Sequence, residues 1–409
     1  MSLIVNIEKR LGNFFLRADF EASCETLAAL GESGAGKTML LKCIAGIERP
    51  DKGKIILDGR VLFYSEKRIN LAPQKRRVGF LFQECALFPN MTLLQNILCA
   101  AKSQTARTDA AAYIRRFGLA GKENLYSASL SGGERQRAAL ARLLASEPEV
   151  FLLDEPFSAL DSNRKSELER LLLELLEEKK RPAILVTHDR NEAFRLCSKI
   201  AFVERGNFSR PVDKREFFER PATVAAARLS GCKNISRLKW LSDGAAYALD
   251  WGIKIRAADV LASRDGAGAA PDVSVNQDGA GLALDVFVNQ ERARPKYAGF
   301  RAHYLELCQD GAQGQDAAAE NVFTCDIKRV IEDAFSYTVY FVQERPQDGA
   351  AVADENGAAS IDSNEHAEPA LIAWEVEKSL WKKIESSAAQ NKIRARIPRD
   401  KIMLLEGGE

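Results

Sequence analysis

The sequence has no long apolar run. No window approaches the ~18–20 apolar residues that a membrane span requires, and Met1–Gly12 lacks the apolar stretch of a secretory signal. Work at a membrane would therefore pass through a partner. Charge of one sign is not in excess either. Lys and Arg number 58 against 57 Asp and Glu, a net charge of +1, which argues against a dedicated nucleic-acid binder. The eight cysteines include no C-x-x-C pair, so neither a metal site nor a disulfide framework is implied. Reduced thiols of a cytoplasmic protein are the simplest reading. Histidine is scarce, with three residues, and His303 and His366 have no ligand-type neighbours. What remains is a chain of 409 residues, 46% hydrophobic and 28% charged, long enough for two or three domains with buried cores.

The N-terminal half reads as alternating strands and helices. Leu3–Ile7, Phe14–Ala22 and Thr26–Leu30 have strand patterning. The third runs straight into GESGAGKT, Gly31 to Thr38, and then into a helical run, Met39–Ile47. Strand, glycine-rich loop and helix are the context of a P-loop. Gly34 and Gly36 allow backbone angles and close approach that a side chain would block. The N–H groups of Gly31, Ser33, Gly34, Ala35 and Gly36 can form a nest for phosphates. Lys37 supplies a point charge to the β- and γ-phosphates of ATP, and Thr38 a hydroxyl for Mg²⁺. Glu32 places a carboxylate beside this polyanion site and is expected to point outward.

Three further strand ends carry polar residues. Val78–Phe82 precedes Gln83; Val150–Leu153 is wholly apolar and ends in Asp154 and Glu155; Ala183–Val186 ends in Thr187, His188 and Asp189. Adjacent carboxylates at a buried strand end need a positive partner, which Mg²⁺ with ATP would supply. Asp154 suits the metal, and Glu155 suits the base that polarises water, since a free Glu is ionised at neutral pH. Lys75, Arg76 and Arg77 read as solvated surface. Between these strands, Thr92–Lys102 and Asp109–Phe117 have helical spacing, and LSGGERQR (Leu130–Arg137) opens another helix. A helix N-terminus carries unpaired N–H groups and partial positive charge, so Ser131, Gly132 and Gly133 could approach phosphate. Together these suggest an inserted helical subdomain at roughly 84–146. Asn163–Lys180 is an amphipathic helix, Ile200–Glu204 a last strand, and Arg215–Gly231 is helical.

The series Gly31–Thr38, Gln83, Leu130–Arg137, Asp154 with Glu155, Asp161 and His188 resembles the ABC-type ATPases over roughly residues 1–231. The resemblance implies an α/β P-loop NTPase core with an inserted α-helical subdomain. It implies that Gln83 contacts Mg²⁺ and senses a transport partner, and that His188 holds the γ-phosphate and the attacking water. It implies a homodimer in which each ATP, on one subunit's P-loop, is capped by the other's Ser131, Gly132, Gly133 and Glu134, with Ser158–Asp161 linking the halves. An aromatic residue upstream of the P-loop usually stacks on adenine; Phe14 is preferred to Phe15, because strand alternation sends the two rings to opposite faces. The segments EKRLGNFFLRADFE, GRVL, SEK, KRRVGFLFQ and LFP look like ATP-binding subunits of molybdate importers, with sulfate and tungstate relatives close by. Such a subunit would lie peripherally on the cytoplasmic face of the cell's inner membrane. It would drive integral-membrane permease subunits and, indirectly, serve an extracytoplasmic solute-binding protein.

After about Gly231 strand-like segments alternate with polar loops. Trp251–Ile255, Ala283–Val288, Phe323–Val330, Tyr337–Val342, Leu371–Glu375 and Ile393–Ile397 are the strands; 262–281, 309–320 and 347–369 are the loops, expected to be mobile. QDGA recurs at Gln277, Gln309 and Gln347, a shared turn chemistry. Residues 232–409 thus read as an all-β domain, a small barrel similar to the regulatory (TOBE) domain of such importer subunits. Cys232–Arg237 echoes an oxyanion-binding segment. Other readings are an ABC importer for sulfate, tungstate, iron, a sugar or a polyamine, an exporter, or a soluble ABC ATPase acting on ribosomes or DNA. One cassette, no coiled coil and neutral charge disfavour the last.

Overall fold

The computed structural model describes residues 2–23, 25–158, 160–241, 245–256, 295–307, 321–343, 370–387, 392–398 and 401–406. The strand Ala283–Val288, the three polar loops, the QDGA turns, His366 and Ala159 lie outside these. The chain divides into two compact units, Met1–Glu219 and Arg220–Glu409. That division falls before Gly231. Val224 and Ala227 pack with Cys232, Met403 and Leu405 in a cluster of the second unit. Pro221 interrupts the expected Arg215–Gly231 helix, leaving Lys214–Glu219 and Val224–Leu229.

In the first unit, β1 (Leu3–Leu11), β2 (Phe14–Ala22), β3 (Thr26–Gly31), β4 (Lys52–Leu57), β5 (Arg60–Tyr64), β6 (Ile69–Asn70), β7 (Val78–Leu81), β8 (Val150–Asp154), β9 (Ala183–Thr187) and β10 (Lys199–Glu204) build one large sheet. Its order is β6-β5-β4-β1-β2, the short strand Asn207–Phe208, then β10-β3-β9-β8-β7. The last five pair in parallel, and the β6-to-β2 wing is antiparallel. All five residues of β8 and of β9 are buried, as strands covered on both faces must be. Leu40, Leu41 and Ile44 of helix α1 (Lys37–Ala45) join the core with β1 to β4. Helices α2 (Pro73–Arg76), α3 (Leu93–Leu98), α4 (Gln104–Arg116) and α5 (Gly132–Ala145) follow, and α3 and α4 pack against α5. Then come α6 (Ser162–Lys179) and α7 (Arg190–Leu196).

The described residues of the second unit form two five-stranded antiparallel sheets. One runs Ile253–Arg256, Ala245–Ala248, Asn234–Trp240, Tyr297–Phe300, Met403–Leu405; the other runs Glu306–Leu307, Lys392–Arg396, Val322–Glu332, Ser336–Gln343, Ile372–Glu377. Trp251, Phe300, Phe323, Phe341 and Trp374 lie in one core shared by both. Buried Asn234 ties sheet to sheet: its amide donates to the Ala373 carbonyl at 2.8 Å and accepts from the Ala373 N–H at 2.7 Å. The echo of an oxyanion segment at Cys232–Arg237 is otherwise engaged. The Cys232 thiol faces the carbonyls of Asn234 and Phe300, Ser236 accepts from the Asp250 N–H, and Arg237 pairs with Asp250.

Arg76 departs from the sequence reading. It is fully buried, not part of a solvated basic run. Its guanidinium donates to the Cys43 and Ile44 carbonyls at 2.9 and 2.8 Å, to Leu71 O at 2.9 Å and to Asn70 Oδ1 at 2.7 Å. The first two are carbonyls at the negative end of α1, where Cys43 O also accepts from the Gly46 N–H at 3.2 Å. Gly46, with φ of +82°, ends that helix, and a Cβ there would lie 2.5 Å from Arg76 Nε. Replacing Arg76 by Met leaves Ile44 O, Leu71 O and Asn70 Oδ1 without this donor, and a buried unsatisfied group costs about 1–3 kcal/mol. The expected loss for Arg76→Met is about 3 kcal/mol or more, read by denaturant unfolding; a change within about 0.5 kcal/mol would contradict this role for the buried guanidinium.

Candidate functional site

Parallel pairing brings four strand ends to one edge. The register sets Leu81 beside Leu153, Asp154 beside Val186, Leu30 beside Thr187 and Gly31 beside Val203. Gln83, Asp154 with Glu155, His188 and the loop after Gly31 therefore emerge side by side, at the carboxyl end where open α/β sheets bind ligands. A cleft of 610 Å³ opens there, lined by Phe14, Ser33, Gly34, Gly36, Lys37, Thr38, Gln83, Glu155 and His188, together with Leu11, Glu32 and Met39. Glu32 is exposed and lines this rim.

The loop's glycines are required by geometry. Gly34 has φ of +80° and Gly36 of +102°, a region that L side chains avoid. A Cβ on Gly36 would also lie 2.6 Å from Phe14 Cζ. The Phe14 ring thus rests against the loop, while Phe15 is 39% exposed, the split that strand alternation anticipates. Gly31 closes on the neighbouring strand, where a Cβ would sit 2.6 Å from Val203 O. Ala35 joins the core beneath.

Lys37 is buried, and its ammonium donates to the carbonyls of Gly31 at 2.8 Å and Glu32 at 2.7 Å. Burial lowers its pKa, against the pull of Glu155, Asp154 and Glu32. Thr38 Oγ1 donates to Asp154 Oδ1 at 3.0 Å. Burial pushes the Asp154 carboxyl up, and the Thr38 bond opposes that. A hydroxyl and a carboxylate joined in this way form a hard-oxygen donor set of the kind Mg²⁺ takes. Glu155 is in the left-handed region at φ +45°, a strained place for a non-glycine residue. Its N–H donates to Val186 O at 3.0 Å and its carbonyl accepts from Ser158 Oγ at 3.1 Å. These contacts leave its carboxylate toward His188, whose Nδ1 is 3.3 Å from Glu155 Oε1.

Ser131, Gly132, Gly133, Glu134 and Asp161 do not line this cleft. Ser131 caps α5: its N–H donates to Glu134 Oε2 at 2.9 Å and its Oγ accepts from the Glu134 N–H at 3.4 Å, a capping box. Lys122 pairs with Glu134 and, with the Ser131 N–H, holds its carboxyl down at about 2. Gly133 is buried against the turn before α6, and a Cβ there would lie 2.7 Å from Leu160 Cδ2. Asp161 caps α6, accepting from the Arg164 N–H at 3.0 Å. Lys122 was invisible as a site neighbour in the sequence; its one signal is a lysine in the turn before a glutamate-bearing helix start. A slightly larger surface cleft, 660 Å³, lies beside Arg60, Lys75, Arg77 and Lys102. Arg60 and Arg77 both pair there with Glu149, so its two arginines share one internal counter-ion.

The family profile described as ABC transporter matches residues 19–158. The sulfate/thiosulfate import ATP-binding protein CysA of Thermosynechococcus vestitus is 36% identical over 266 residues, 63% of this chain and 77% of that protein. CysA 2 of Rhizobium meliloti is 38% identical over 62% of this chain and 71% of its own length. The molybdenum import ATP-binding protein ModC of Haemophilus ducreyi is 39% identical over 50% of this chain and 58% of its own. The profile's span takes in Gly31–Thr38, Gln83, Asp154 and Glu155, and on these likenesses the chain belongs to the ABC transporter family of ATP-binding proteins.

Proposed function

We propose that this chain hydrolyses ATP as the motor subunit of an importer for a tetrahedral oxyanion, molybdate being the expected cargo and sulfate its competitor. The observation that carries the reading is the convergence of Lys37, Thr38, Gln83 and the Glu155–His188 pair on one cleft, with buried Asp154 bonded to Thr38. Phosphoryl transfer to water asks for positioning and charge stabilisation rather than covalent chemistry, and this set supplies both. The loop N–H groups and Lys37 receive the phosphates. Thr38, Asp154 and Gln83 would hold Mg²⁺, which neutralises phosphate charge when bound. Glu155 accepts a proton from the attacking water, and His188, beside it, keeps that water and the γ-phosphate in place. Phe14 offers a ring at the cleft for adenine.

Ser131–Glu134 lies outside the chain's own cleft, and one complete phosphate cradle already serves that cleft. The segment therefore suits the nucleotide of a second copy, giving a homodimer with two ATP molecules between its halves. Among the described residues no helix is long and apolar enough to cross a membrane, which fits a subunit that works peripherally at the cytoplasmic face of the inner membrane through separate permease subunits. Those would dock near Gln83–Leu94, with an extracytoplasmic binding protein delivering solute. The relatives' names support an oxyanion, with sulfate/thiosulfate and molybdenum both represented.

Glu155→Gln is expected to lower turnover by roughly 10²–10⁴-fold while ATP binding is retained. Wild-type-like phosphate release from that variant would remove Glu155 from the role of base. Ser131→Arg should leave ATP binding intact and abolish both ATP-dependent dimerisation and turnover; scattering that still shows an ATP-induced dimer would rule out capping by the second copy. For the cargo, the assembled transporter is assayed with molybdate-, tungstate- and sulfate-loaded binding proteins. Stimulation of ATP turnover by the molybdate form is expected, stimulation by sulfate alone would reassign the cargo, and stimulation by none would end the oxyanion reading.

A further inference from the structure

A compact polar cluster lies behind the Glu155–His188 pair, with Lys165 at its centre. Lys165 stands in the first turn of α6, four residues after the capping Asp161, and its N–H donates to Asp161 O at 2.8 Å. Its ammonium reaches across to the segment that carries His188, 2.7 Å from Asp189 Oδ2 and 2.5 Å from Glu192 Oε1. Asp189 follows His188 directly and caps α7 by accepting from the Asn191 N–H at 2.8 Å. Glu192 is 5% exposed, and its second oxygen accepts from the Thr187 hydroxyl at 2.5 Å. That hydroxyl in turn accepts from the Asp189 N–H at 3.0 Å. The residues on both sides of His188 are thus joined to one ammonium, while the imidazole stays open and faces Glu155. A pocket of 230 Å³ runs along this cluster, with Glu155, Ser158, Leu160, Lys165 and His188 among the residues that line it.

Charge makes the ammonium necessary. Asp189 and Glu192 sit one helical turn apart and point at a common centre, so without Lys165 they would repel each other in a half-buried site. Burial opposes the charge on Lys165, but the two carboxylates outweigh it and its pKa is raised. Two neutral hydrogen-bonding residues could staple α6 to α7 equally well. A cation between two carboxylates does more, because it sets where the first turn of α7, and therefore His188, comes to rest.

Resting on the hydrolytic reading above, we infer that Lys165 is a positioning residue that ties the placement of His188 against Glu155 to the N-terminal turn of α6 at Asp161. Lys165 touches neither reacting group. It acts through Asp189 and Glu192, and because it lies one turn from Asp161, a displacement of that turn is transmitted to the imidazole. A contact made at the turn by another molecule would then register at the reacting end of the cleft.

The test compares the full chain with K165M, K165R, D189N and K165M/D189N in Mg-ATP turnover, and follows amide hydrogen exchange in parallel. K165M should lower kcat about tenfold or more with KM for ATP within about twofold, since the P-loop is untouched. K165R should restore most of kcat, and K165M with D189N should be clearly less than additive. Exchange across residues 187–192 should quicken in K165M and D189N while that of α1 stays unchanged. A stable K165M with wild-type kcat, or a loss spread over KM and the exchange of α1 alike, overturns the inference while leaving the hydrolytic reading in place. Full additivity of the double variant does the same. Absence of turnover in the wild-type chain overturns the hydrolytic reading itself and, with it, the role given to Lys165.

Discussion

The parallel ladder of β7, β8, β9 and β3 is the constraint on which the site depends. Its hydrogen bonds fix a register, and a one-residue slip in a strand of period two reverses every side chain. Here a slip of β8 against β9 would carry Asp154 away from Thr38 and exchange Asp154 with Glu155 at the sheet edge. Burial on both faces of β8 and β9 guards against that slip, since it would have to be made inside a packed core. The order of strands then does chemical sorting. Hard oxygen donors leave from β8, the imidazole from β9 and the phosphate loop from β3, each one strand spacing from the next.

The buried guanidinium of Arg76 works on the same element from the opposite end. Helix α1 begins at the glycine loop and ends on Arg76. Its N-terminus is where anions are favoured, and its C-terminus is where a cation belongs. One helix therefore links a fixed internal cation to a site for an external polyanion, and β2 presses Phe14 against the turn between loop and helix.

Much of this was legible in the sequence where the signal was contiguous. Gly31–Thr38, Val150–Glu155 and Ala183–His188 each place a strand and its polar terminus in one string, so local patterning suffices. Helices α1, α3, α4, α5 and α6 followed from spacing, α2 and α7 were too short to show a period, and Thr92 and Asp161 emerge as caps. Lys165 and Arg76 were not legible as they are, because their partners lie 24 and 33 residues away and a basic residue on an amphipathic helix or in a basic run looks solvated. In the second unit, the strand-like segments Phe323–Val330, Tyr337–Val342 and Leu371–Glu375 overlap the observed Val322–Glu332, Ser336–Gln343 and Ile372–Glu377. Asn234–Trp240 was missed because its buried positions include Asn234 and Ser236, which hydropathy treats as surface. The helix Lys378–Ser387 was missed because, among its described side chains, Trp381 and Ile384 are too few buried positions to make a period.

Glu155 holds a left-handed backbone at φ +45°, and this has an evolutionary edge. A glycine at that position would relieve conformational strain of roughly 1 kcal/mol and remove the carboxylate beside His188. Drift toward a more stable fold therefore runs downhill into loss of the group that faces the imidazole. A lineage that keeps a glutamate here carries a standing strain cost. A glycine in a related chain would have shed both the strain and the carboxylate that faces the imidazole.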